Sequence, residues 1–150
     1  MIRRFSRAGG VALALATVVA CAGGDARNPE NSSPSTSVAA VVPNGQVVEV
    51  QVLDNSYRPL DLVIETGTEV VFVNKGRNEH NVLPDEVDND AELVELLADD
   101  SSATAWGVTS TDLPPGASYS HVFFEPGTYP YYCSIHGVAG KGMYGVVVVE

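Results

Sequence analysis

Apolar and polar residues alternate in short runs along the C-terminal two-thirds of the chain, and each run ends at a turn signal. Over residues 46–53, Val47, Val48, Val50 and Val52 are set against polar neighbours, which predicts a strand with one buried face. Residues 60–65 predict a second strand, and Gly67-Thr68 a turn. Residues 69–73 are almost continuously apolar and β-branched, so a buried central strand is expected there. Residues 119–124 and 127–132, divided by the Glu125-Pro126-Gly127 turn, predict two more strands, and residues 144–149 the last. Several short strands spaced by turns indicate an all-β sandwich.

Two stretches break the pattern. Residues 84–107 bring eight acids and no base, while Ala91, Leu93, Val94, Leu96 and Leu97 recur near helical spacing and Asn89 stands three residues before Glu92 as a cap. A short acidic helical insertion laid on the sandwich follows, serving either as a solvated face or as a docking surface for a basic partner. Residues 22–44 are small and polar without periodicity, as in Asn28-Pro29-Glu30-Asn31-Ser32-Ser33-Pro34, and read as a disordered tether. About 25 such residues have a root-mean-square span of roughly 25–30 Å.

The first residues have the order of an export signal, with Arg3, Arg4 and Arg7 before an apolar run at 10–20 that is too short to span a membrane. The run closes on Val18-Val19-Ala20-Cys21, which resembles a bacterial lipobox, so Cys21 is expected to carry a lipid anchor; the alternative is ordinary cleavage that leaves Cys21 incidental. The expected organisation is a lipoprotein signal at 1–20, a lipidated cysteine and tether at 21–45, and one domain at 46–150, long enough to enclose its own core.

Charge narrows the partners. The sequence holds 19 acidic and 8 basic residues, a net charge of -11, and loss of the signal would make it more negative. Nucleic acid is excluded as a partner. A negative field instead steers encounter with a positively charged protein, at a rate that falls with salt.

With Cys21 used as an anchor, Cys133 is left without a disulfide partner in an exported domain, and metal ligation is one explanation. His136 follows three residues later, Met143 stands beyond it, and His80 closes the apolar run at 70–74 after a short turn at 75–79. A thiolate, two imidazoles and a thioether suit copper. Read singly, Cys133 could pack as a small hydrophobe, the histidines could sit on the surface, and Met143 could fill the core. His121 is expected to face outward and to lie outside any site.

The order His80, Cys133, His136, Met143 comes with Gly127-Thr128-Tyr129-Pro130-Tyr131-Tyr132 directly before Cys133, and with Tyr57-Arg58-Pro59 through Gly67, Asn74, His80-Asn81 and Leu113-Pro114-Pro115-Gly116 elsewhere in the chain. In these features the chain resembles the cupredoxins of the plastocyanin and pseudoazurin type over its last two-thirds. The ligand loop departs from the pattern: plastocyanin-like loops run Cys-x2-His-x4-Met, whereas six residues separate His136 from Met143, with four glycines from Gly137 to Gly145. The axial alternatives to Met143 are a backbone carbonyl near Glu79 or a water.

The resemblance implies a Greek-key β-sandwich with one type 1 copper ion on His80, Cys133, His136 and Met143. It implies that Asn81 and Ser134 tie the ligand loops together, that Tyr132 lies on an electron route, and that His136 is nearest the surface, beside Gly137 and Val138. The expected function is single-electron transfer between redox proteins outside the cytoplasmic membrane, by a membrane-tethered monomer that is not an enzyme. A copper-delivery protein and a degenerate binding module are the rivals. Three histidines are too few for a blue site plus a catalytic copper cluster, and a dinuclear electron-transfer site would need two cysteines in one loop.

Overall fold

A computed structural model of the chain describes residues 42–99 and 105–150. The export signal expected at 1–20, Cys21 and the tether up to residue 41 lie outside the described residues. The described chain is already bonded into the domain at Asn44, slightly ahead of the expected start at 46. The Asn44 backbone N–H donates to the Gly67 carbonyl (2.9 Å), and its side-chain amide donates to the Thr66 carbonyl and Thr68 Oγ1.

The strands in chain order are β1 (Val47–Leu53), β2 (Ser56–Arg58), β3 (Asp61–Ile64), β4 (Thr68–Asn74), β5 (Leu83–Pro84), β6 (Ser118–Phe123), β7 (Gly127–Val138) and β8 (Lys141–Val149), with helix α1 (Asp90–Ala98) between β5 and β6. They form two four-stranded sheets, β2-β1-β4-β6 and β3-β8-β7-β5. After β2 the chain leaves the first sheet to place β3 parallel to β8, then returns to place β4 parallel to β1. This is the all-β sandwich that the cupredoxin resemblance implies, with, among the described residues, the one short helix expected from the acidic stretch.

Alternation builds the core. Thr68, Val70, Phe72 and Asn74 of β4 point inward, as do Val50 and Val52 of β1 and Val147 and Val149 of β8. β4 is central in its sheet, yet Val71 and Val73 are only half-buried, because the outer face of that sheet is partly open to solvent. Phe72, Trp106, Phe123 and Tyr131 interlock across the core, with Trp106 edge-on to Phe123 at 5.1 Å between ring centroids and to Tyr131 at 5.9 Å.

The acidic helix forms where its cap predicts. Asn89 Oδ1 accepts from the backbone N–H groups of Ala91 (3.0 Å) and Glu92 (3.1 Å), and Asn89 Nδ2 donates back to Glu92 Oε1 (3.0 Å). Of its apolar residues only Leu93 is fully buried, in a small second core with Leu83, Val87 and Tyr132, while Val94 and Leu97 stay exposed.

Candidate metal centre

His80 is set by a turn pinned on two sides. At the end of β4 the buried Asn74 donates from Nδ2 to the carbonyls of Asn78 (2.8 Å) and Leu113 (2.9 Å), and its Oδ1 accepts from the Gly76 N–H (2.9 Å). Asp54 accepts from the Arg77 backbone N–H (2.6 Å) and from Arg77 Nε (3.2 Å); the backbone bond leads in holding its carboxyl below the usual range. A side chain at Gly76 would start 2.7 Å from Asp54 Oδ1 and 3.2 Å from His80 Nε2, so this turn packs directly on the imidazole. His80 is fully buried. Burial, and then the nearby His136, lower its pKa against an opposing effect of Asp54, which favours the neutral ring that a metal requires.

Cys133, His136 and Met143 are set by an irregularity in the β7–β8 pairing. Tyr132 pairs with Tyr144 and Gly137 with Gly142, so five steps along β7 are matched by two along β8. The four residues Cys133 to His136 therefore bulge opposite Met143 alone. Beyond the bulge, Gly137↔Gly142 and Val138↔Lys141 close a hairpin through Ala139 and Gly140. His136 and Met143, seven positions apart in sequence, thus flank one rung, and the residues that lengthen the loop lie out in the hairpin. A Cβ at Gly137 would sit 2.7 Å from both the Lys141 carbonyl oxygen and Met143 N, so glycine is what allows the backbones this close. Met143 is fully buried in the same core as Cys133.

The two segments converge. Cys133 Sγ lies 3.7 Å from His80 Nδ1 and 3.7 Å from His136 Nδ1, and the three ligand atoms all lie within 4.8 Å of one another. Donors bound to one ion at about 2.0–2.3 Å and roughly 120° apart would be separated by about 3.7 Å, so the spacing and the donor chemistry both fit copper in a trigonal His2Cys site. His80 and Cys133 have no exposed surface, whereas His136 is partly open to solvent.

Around the ligands, Asn81 and Ser134 are joined as the resemblance implies. Asn81 Oδ1 accepts from the Ser134 N–H (3.0 Å) and Asn81 Nδ2 donates to Ser134 Oγ (2.9 Å). Tyr132 is different: strand alternation turns its ring to the face opposite Cys133, into the second core, where its hydroxyl donates to the Val87 carbonyl (2.7 Å). It reaches the ligand set only through its peptide bond to Cys133. His121 lies outside the site but does not face outward as expected. Two residues before the buried Phe123, it falls on the inward set of β6 and packs on Phe123 (4.7 Å) and Trp106 (6.1 Å), and burial lowers its pKa.

Three supporting residues were not legible beforehand. Asp54 pins the turn before His80, Tyr57 donates its hydroxyl to the Asn81 carbonyl, and Asp90 accepts from Asn81 Nδ2 at 2.7 Å. Tyr57 stood in the family pattern with no role attached. Asp90 was one acid among eight, and Asp54 carried no signal.

The sequence model for copper binding proteins of the plastocyanin/azurin family matches residues 45–150. The plastocyanin of Prochlorothrix hollandica is 36% identical over 94 residues, covering 63% of this chain and 63% of that protein. The chloroplastic plastocyanin of Silene latifolia subsp. alba is 31% identical over 129 residues, covering 77% of this chain and 69% of that protein. The chain thus spans about two-thirds of the length of these relatives. Among solved structures, a Cu-containing nitrite reductase from Thermus scotoductus is 28% identical with a TM-score of 0.51, over 69% of this chain but 22% of that one. A reduced amicyanin variant, 24% identical with a TM-score of 0.50 over 71% of this chain and 84% of that one, shares the fold.

Proposed function

Because the chain belongs to the plastocyanin/azurin family of copper-binding proteins, we propose that it carries single electrons between redox proteins outside the cytoplasmic membrane, tethered by a lipid on Cys21. His80, Cys133 and His136 would hold one type 1 copper ion, with Met143 as the weak axial donor. The observation that carries this reading is the convergence of two imidazole nitrogens on one thiol sulfur at 3.7 Å. Bound there, copper supplies a one-electron couple.

The protein's own contribution is a fixed, dry seat with one edge at the surface. The full burial of His80, Cys133 and Met143 keeps water out and slows loss of the ion, which favours an electron carrier over a delivery protein. His136 sits between Ile135 and Val138, both exposed, so a redox partner could approach its imidazole across an apolar rim. A second approach is through Tyr132, next to Cys133 and beneath the acidic helix. Burial first, and then Asp88, Asp85 and Glu92, raise the pKa of its hydroxyl, so a basic partner drawn to those acids would meet the chain one residue from the thiolate. Catalysis is not part of this reading: two of the three histidines are spent on the site and His121 is packed on Trp106.

The test is the visible and electron paramagnetic resonance spectrum after one equivalent of Cu(II) is added to metal-free protein. An intense thiolate-to-copper band with a narrow hyperfine splitting, lost in Cys133→Ser, is the expected result. A pale tetragonal spectrum, or ready passage of copper to an acceptor, would favour the delivery reading instead.

A further inference from the structure

Asn81 follows His80 and Ser134 follows Cys133, so the bonds between them clamp one ligand-bearing segment to the other. That clamp does not end at Asn81. Both hydrogens of its amide are committed, one to Ser134 Oγ (2.9 Å) and one to Asp90 Oδ1 (2.7 Å). The second carboxylate oxygen of Asp90 accepts from the Ser110 N–H (3.0 Å) and from Ser110 Oγ (2.7 Å). Asp90 is the first residue of α1, so a single carboxylate joins the acidic helix, the segment after Trp106 and the two ligand segments. Asn81 is almost fully buried, and its amide cannot turn without giving up a bond at each end.

Resting on the copper-carrier reading above, we propose that Asp90 is a positioning residue for the metal site. By fixing the Asn81 amide it holds the His80 and Cys133 segments in register, and so sets the relative affinity of the site for the two oxidation states of copper. An anionic acceptor strengthens the bond to Asn81 Nδ2 and polarises the amide, which makes Asn81 Oδ1 a better acceptor for the Ser134 N–H. Groups behind metal ligands commonly act in this way on affinity and potential. Other acids of α1 carry the same charge without this linkage: Glu95 is exposed on the same helix, and its side chain makes no bond to the site.

The experiment compares the full chain with Asp90→Ala, Asp90→Asn and Glu95→Gln. Two readouts are used, the reduction potential of the copper-loaded protein and hydrogen exchange of the Ser134 amide in the metal-free protein. Both Asp90 variants are expected to change the ratio of Cu(II) to Cu(I) affinity at least threefold, about 28 mV at 59 mV per decade. Ser134 exchange is expected to quicken at least tenfold, and Glu95→Gln to match the native protein in both. If Asp90→Ala does not fold, Asp90→Asn, of the same shape, carries the comparison. Native values in the Asp90 variants, or an equal shift in Glu95→Gln, would overturn the proposal. A native protein with no reversible couple would sink the copper-carrier reading alone, and the exchange rates would still decide whether Asp90 holds the clamp.

Discussion

Three glycines in the β7–β8 hairpin allow the effect of crowding to be separated from that of backbone conformation. At Gly140 φ is +66° and no atom lies within 4 Å of an added Cβ; Gly137 has no positive φ, but its Cβ would press on Met143 N and the Lys141 carbonyl oxygen, each at 2.7 Å. Gly142 combines both, with φ +83° and a Cβ 2.8 Å from the His136 carbonyl oxygen. Alanine at 140 meets a left-handed penalty of about 1–2 kcal/mol, offset by about 0.4–1 kcal/mol through a less flexible unfolded chain, for a net loss of about 0.5–1 kcal/mol. Alanine at 137 must push paired backbone apart by roughly 0.6 Å to reach an ordinary carbon–oxygen contact, and overpacking of this kind costs about 1–3 kcal/mol. Alanine at 142 should cost about 1.5–4 kcal/mol, the two net effects together.

The backbone displaced at 137 and 142 belongs to Met143 and His136, two of the expected copper ligands. Denaturant unfolding of the metal-free variants should therefore rank 140 least, 137 next and 142 most destabilised. The Cu(II) spectrum should change in the last two and stay native in the first. A native spectrum in Gly137→Ala with unchanged stability would refute the claim that this close approach places Met143 beside His136.

Met143→Leu should raise the reduction potential by about 60 mV or more, equivalent to a tenfold change in relative affinity, because loss of a donor weakens Cu(II) most; Met143→Gln, an oxygen donor, should lower it. Equal potentials in native protein and Met143→Leu, by voltammetry, would mean that another group fills the axial position. The lowered pKa of His121 has a definite sign. The unfolded chain takes up its proton near pH 6.5, before the folded state does, so stability is unaffected above that pH and falls as the pH drops toward the lower folded value. His121→Gln should therefore lose less of its thermal midpoint between pH 7.5 and 5.5 than the native protein; an identical loss would show that His121 does not titrate with unfolding.

The ligands were legible because thiol, imidazole and thioether are scarce in this chain and their order is distinctive. The long strands and Asn89 were legible through period and capping. What could not be read was pairing. β2 and β5, of three and two residues, are too short to show a period and form only because β1 and β7 offer them partners. The segment after His136 read as a glycine-rich loop since glycine carries no strand preference, yet its glycines are what let the two backbones close into a hairpin. Asp90 looked like one more solvated charge, and only the fold brings it to Asn81.

The placement of the longer ligand segment in a paired hairpin makes the distance between His136 and Met143 independent of how many residues join them. Two more residues inserted at the Ala139–Gly140 turn would add one rung and carry the tip outward by about 3.3 Å per residue along each strand, with both donors left where they stand. A single inserted residue would instead lengthen the turn to three residues and add no rung. This end of the molecule can therefore grow in steps of two, so a surface beside His136 could be lengthened or shortened without the metal chemistry changing with it.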